Sequence, residues 1–139
     1  MYQMDDDQLL TAFETLTIRP EDFHHKEHVR VAFALLRRER DLAAAAVAFR
    51  ALLQRFAAAA GVAAKYHETL TWAYLAVIAG RMHGHDYAGS AELLDANPDL
   101  LDHESGAIAR HYDVAAVTQS PLARAVFVLP ERPAGRSSR

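Results

Sequence analysis

Tyr66-His67-Glu68-Thr69-Leu70-Thr71-Trp72-Ala73-Tyr74-Leu75-Ala76-Val77-Ile78-Ala79-Gly80-Arg81-Met82 decides the fold class. From Thr69 to Gly80 no side chain is charged, and Trp72, Tyr74, Leu75, Val77 and Ile78 cover several faces of a helical wheel. A helix over about Ala64 to Met82 that is apolar nearly all round belongs in the interior, with other helices packed around it. Gly84 is its stop.

The flanking segments supply those helices. Asp5 to Thr15 carries Leu9, Leu10, Phe13 and Leu16 on one side, with acidic residues early, where they suit the helix dipole. Arg19-Pro20 breaks the chain, since the residue before a proline is pushed out of helical geometry. A second helix is expected from about Phe23 to Arg38, with an apolar stripe of Val29, Ala32, Phe33, Leu35 and Leu36. Asp41 is the N-cap of a third, Leu42 to Ala60, which Gly61 ends. Its alanines permit close approach to a neighbour, within the monomer or across a homodimer. Beyond Gly84 the elements shorten: Ser90 caps a helix to Ala96, Asn97-Pro98 is a turn, one helix covers Glu104 to Tyr112, Asp113 caps another turn, and Ser120-Pro121 starts a last helix to about Phe127. No run of period-two alternation suggests a strand. The expected fold is all-α, a compact bundle of four main helices with short C-terminal helices, forming one domain over 1–130. A polar, flexible tail over 131–139 follows.

Composition bounds the function. A net charge of −3 gives no electrostatic reason to bind nucleic acid or an anionic membrane. No apolar stretch reads as a membrane span, and the acidic start is not a signal peptide, so a cytoplasmic location is expected. With no cysteine in the chain, thiolate ligation is excluded. Glycine-rich phosphate loops, nucleophile elbows and the His-Glu-x-x-His of zinc proteases are missing; Thr71 stands where that second histidine is required.

Eight histidines carry what chemistry there is. His25 and His28 are at i and i+3, neighbours on one helix face at a spacing that accepts a metal between two imidazoles. His24, at i−4 from His28, competes with His25; His25 is preferred because it lies nearer the Ala32–Leu36 line. His67 shares a side with Leu70, Tyr74 and Val77, and is therefore a buried histidine, as a hydrogen-bonded core residue or as a ligand. Glu68 is turned by about 100° from His67. It suits a ligand reached at an angle, an acceptor orienting a ligand histidine, a general base, or an ion pair with Arg30, Arg37 or Arg81. Tyr66, Thr69, Thr71 and Tyr74 bring hydroxyls of structural character. His83, His85 and His111 suit helix C-termini. Asp102-His103 and Arg110-His111-Tyr112 form a second polar group, with Arg110 able to grip a substrate carboxylate.

Phe23-His24-His25-Lys26-Glu27-His28-Val29, followed by Tyr66-His67-Glu68-Thr69-Leu70-Thr71, resembles a group of small bacterial helical proteins. These carry an aromatic-x-His-x-x-His-Leu/Val element and then a Tyr-His-Glu-Thr-Ile/Leu-Thr element. The resemblance spans roughly the first two-thirds of the chain and is the more specific in its second motif. It matches His25, His28 and His67, with Glu68 beside the last, and implies no particular activity. The leading expectation is a metal-dependent enzyme acting on a small molecule. His25, His28 and His67 would hold one divalent ion (iron, zinc, nickel or copper) with Glu68 as ligand, orienting partner or base. Iron or copper would imply oxidative chemistry, and zinc hydrolysis by a metal-activated water. A metal- or small-ligand-binding protein without catalysis, and a purely structural domain, are the alternatives. The His25, His28 and His67 site requires that the starts of the second and fourth helices meet.

Overall fold

The computed structural model describes residues 4–131, and all regular structure in them is helical. The proposed tail lies almost wholly outside the described residues. In chain order the α-helices are α1 (Asp6–Glu14), α2 (His25–Glu39), α3 (Leu42–Ala59), α4 (Glu68–Met82), α5 (Ser90–Ala96), α6 (Val114–Gln119) and α7 (Pro121–Ala125). Short 3-10 turns cover Pro20–Asp22, Ala63–Lys65, Pro98–Leu101 and Ile108–Arg110.

Capping side chains set most helix starts. The Asp5 carboxylate accepts from the Gln8 N–H at 2.8 Å, and the Gln8 side chain accepts from the Asp5 N–H. Asp41, Asp113 and Ser120 cap α3, α6 and α7 in the same manner. Ser90 is the first residue of α5 rather than its cap; Gly89 holds that position. The helix expected over Glu104 to Tyr112 is reduced to the turn at Ile108–Arg110. Close packing in the preceding loop accounts for this, because a Cβ at Gly106 would run into the carbonyl oxygens of Asp99 and Asp102.

α2 is the hub. It packs against α1, α3, α4 and α5, while α3 packs on α4 and α7 lies against α4. Its inner face, Val29, Ala32, Phe33, Leu35 and Leu36, is buried as its stripe requires. Leu75 and Ile78 of α4 are fully buried, though Tyr74 and Val77 remain partly open. Phe13 of α1 stacks on Phe23, just ahead of α2, with ring centroids 4.5 Å apart, and both rings meet Phe56 of α3. On the far side of α2, the buried Asp6 carboxylate accepts from Arg30 Nε (3.2 Å), the Ser90 N–H (2.7 Å) and the Ser90 hydroxyl, tying α1, α2 and α5 together.

α3 departs from expectation. Its 18 residues have a mean hydropathy of 1.4, enough in length and composition to cross a bilayer, although no apolar span was expected. Alanine, leucine, valine and phenylalanine supply that hydropathy, diluted by Arg50, Gln54 and Arg55. The helix sends Phe49, Leu53 and Phe56 inward and leaves Val47 68% exposed.

Candidate functional site

The starts of α2 and α4 border one cavity of about 770 Å³, open to solvent on one side and lined also by α3 and by the loop after α5. Phe23, Val29, Ala32, Phe49, Leu53, Phe56, Leu70 and Ile78 form its apolar wall, and His24, His25, His28, His67, His103, Tyr66, Thr71 and Tyr74 its polar lining. The size and character match those of small-molecule sites, typically about 300–1,000 Å³ and mostly apolar with a few polar groups.

His25 and His28 lie in the first turn of α2, whose N-cap is His24. The Glu27 carboxylate accepts from the His24 N–H at 2.8 Å, which fixes the helix start. His24 itself is exposed at the cavity rim, so of the two competing histidines His25 is the more enclosed. His25 Nε2–H donates to the Leu100 carbonyl at 2.8 Å. Since that bond fixes the proton on Nε2, the neutral ring keeps its lone pair on Nδ1. Burial lowers the His25 pKa, partly offset by the bond to Leu100, and nearby His103 lowers it further.

His28 packs on the Phe23 ring at 4.5 Å. Its nitrogens make no hydrogen bond among the described residues. Burial, with a smaller push from His25, takes its pKa down to about 4, so the imidazole is neutral at physiological pH.

His67 is placed differently from the sequence expectation. The chain leaves helical geometry at Tyr66 and His67, and His67 is the N-cap of α4 rather than a residue inside a longer helix. It is buried, at 8% exposure. The Leu70 N–H donates to His67 Nδ1 at 3.1 Å, and Nε2–H donates to the Val117 carbonyl at 2.8 Å. Both ring nitrogens are therefore occupied. A metal at either one would have to break the cap of α4 or its tie to α6.

Glu68 is the first residue of α4, where a carboxylate suits the helix dipole. It does not line the cavity. Its carboxylate accepts from Tyr66 OH (2.7 Å), Arg50 Nε (2.9 Å) and Trp72 Nε1 (3.1 Å). Burial alone would raise its pKa, but these three donors outweigh that and hold it below the usual glutamate value. The ion pair is with Arg50 of α3, not with Arg30, Arg37 or Arg81. Those three are engaged by Asp6, the Ala88 carbonyl and Asp99 respectively. Tyr66 shares the Glu68 arrangement, and burial raises its pKa to about 12.

Sequence reasoning undervalued two residues. His103 reaches the cavity from the loop after α5, where its Nδ1 lies 2.6 Å from Tyr74 OH. Its ring centroid is 5.6 Å from that of His25 and 5.8 Å from that of Tyr74; His25 and Tyr74 meet edge-on at 5.0 Å. Burial, with Asp102 nearby, raises the Tyr74 pKa, so the hydroxyl keeps its proton. The loop is held from α4 by Arg81, which donates twice to Asp99 at 2.9 and 2.8 Å. Arg110 adds a contact to the same carboxylate at 3.1 Å, which occupies the side chain considered for a substrate carboxylate. No periodicity links residue 103 to residue 25; the one local signal was a histidine beside an aspartate in a polar turn.

Among the described residues, no three His, Asp or Glu side chains are arranged to hold one metal ion. The set His25, His28, His67 surrounds one cavity, but His67 is committed to the backbone and His25 Nε2 to Leu100. Comparison with protein families, with curated proteins and with solved structures finds no match to this chain.

Proposed function

We propose that this protein binds a small, largely apolar molecule in the cavity between α2, α3 and α4. The observation that carries the proposal is the cavity itself: about 770 Å³, walled by aromatic and aliphatic side chains, with imidazoles gathered along one wall. In this reading α2, α3 and α4 open around a ligand, with His103 of the loop after α5 at the edge of the cavity. α3 is a wall of that bundle rather than a membrane span, since Phe49, Leu53 and Phe56 face the cavity. The net charge of −3 supports leaving nucleic acid out.

Equilibrium dialysis against naphthalene tests the reading. Saturable binding of one equivalent is expected. It should weaken several-fold in Ala57→Phe, which narrows the cavity from its α3 wall, while the melting temperature of that variant stays at or above wild type. If the wild type takes up no naphthalene, or if narrowing the cavity leaves its affinity unchanged, the proposal fails.

A divalent metal bound by His25 and His28 is the second reading. It is favoured by one observation, the unengaged nitrogens of His28 beside His25 on the cavity wall. The remaining positions would fall to water or ligand, with iron, zinc, nickel and copper all suited to imidazole. Elemental analysis of untagged protein distinguishes the two. One retained equivalent, lost in His28→Ala, would favour the metal.

A further inference from the structure

The polar wall of the cavity is not uniform. Tyr74 engages Nδ1 of His103, and His25 is tied to Leu100 through Nε2, so each of these imidazoles has one nitrogen bonded, whereas His28 has neither. His28 is the exception, a neutral imidazole packed on Phe23 with no hydrogen bond among the described residues. A neutral imidazole carries one N–H donor and one acceptor lone pair. His28 is only partly buried, so cavity water can reach its nitrogens. A ligand that expels this water leaves them unpaired, at a cost, unless it brings a matching group.

The surroundings select the group. Lys65, the one Lys or Arg in the lining, is exposed, as is Glu21. An anionic head brought to His28 would lose its water with no fixed charge to replace it. A cation would meet His25 and His28, whose pKa values burial lowers, and Tyr74, whose phenol keeps its proton. A hydroxyl fits, since it donates to the imidazole lone pair or accepts from its N–H. The body of the ligand is selected by Phe23, Phe49 and Phe56, which favour a flat ring over a branched aliphatic chain.

We propose that the cavity takes a hydroxylated aromatic molecule, its ring against Phe23, Phe49 and Phe56 and its hydroxyl hydrogen-bonded to His28. This rests on the cavity being a ligand site, as proposed above.

Three probes that share one ring system separate the possibilities: 2-naphthol, naphthalene and 2-naphthoate, each measured by equilibrium dialysis at neutral pH with a chelator present. The expected result is 2-naphthol binding about tenfold more tightly than naphthalene, and 2-naphthoate more weakly than either. In His28→Leu the 2-naphthol advantage should vanish while naphthalene binding persists. In the wild type, 2-naphthol should shift the imidazole ¹⁵N resonances of His28 and naphthalene should not, a readout that requires no variant. Equal binding of 2-naphthol and naphthalene overturns the hydroxyl assignment and leaves the cavity reading standing. Tightest binding of 2-naphthoate overturns it in favour of an anion site. Failure of all three to bind removes the cavity reading as well.

Discussion

α2 and α4 both begin with a histidine at the N-cap, and the two starts face each other across the cavity, yet they use their polar groups in opposite ways. At α4 every group is consumed: His67 caps the helix and holds the Val117 carbonyl, and Glu68 takes three donors. At α2 the capping is done by the backbone of His24 and the side chain of Glu27, which leaves His25 half-tied and His28 unpaired beside the cavity. Similar motif histidines thus serve architecture at one helix start and remain available for ligand at the other. Composition cannot distinguish these roles, because both kinds of histidine are enclosed and both have lowered pKa values.

The sharpest way to break this contrast is pH. The unfolded chain protonates His28 near 6.5, the folded chain only near 4. Its contribution to stability is therefore complete above pH 6.5 and is lost as pH falls toward 4, by up to about 3 kcal/mol. His25 and His67 shift in the same direction, so the informative quantity is wild type minus His28→Leu, from urea unfolding between pH 7 and 4. A difference that does not change with pH would remove the neutral, buried imidazole from the account.

A somewhat smaller effect is expected at the other helix start. His67→Ala removes a cap and the tie to the Val117 carbonyl, at a cost of about 2 kcal/mol, whereas His28→Leu at pH 7 should be neutral or stabilising. His67→Asn, which keeps a capping acceptor, should recover roughly half of that loss. Equal destabilisation at positions 28 and 67 would erase the division of labour. The smallest effect falls on Glu68→Gln, about 1 kcal/mol at pH 7. Its sign follows from the depressed pKa. The carboxylate stabilises the fold above the ordinary glutamate value of 4.5, and this is lost as pH falls through its lower folded value. Ligand binding should be unaffected, since Glu68 lies off the cavity.

Much of the helical organisation was legible. The stripe on α2, the Asp41 and Ser120 caps and the buried Leu75 and Ile78 follow from periodicity and capping chemistry that act within a few residues. The helix expected through Ala64 was cut back because a buried imidazole made a better cap than a helical residue, and that choice depends on Val117, fifty positions away in sequence. His103 was hidden for the same reason: its partners, Tyr74 and His25, come from two different helices.

By itself, the sequence determined that this chain is helical, where most helices start, and that His25 and His28 share one helix face, because helix formation and amphipathic burial are local consequences of side-chain spacing. Tertiary structure alone decided which nitrogens are already taken. A hydrogen bond from an imidazole to a distant carbonyl leaves no trace in local spacing, and it is those bonds that commit His67 to the scaffold and leave His28 facing the cavity.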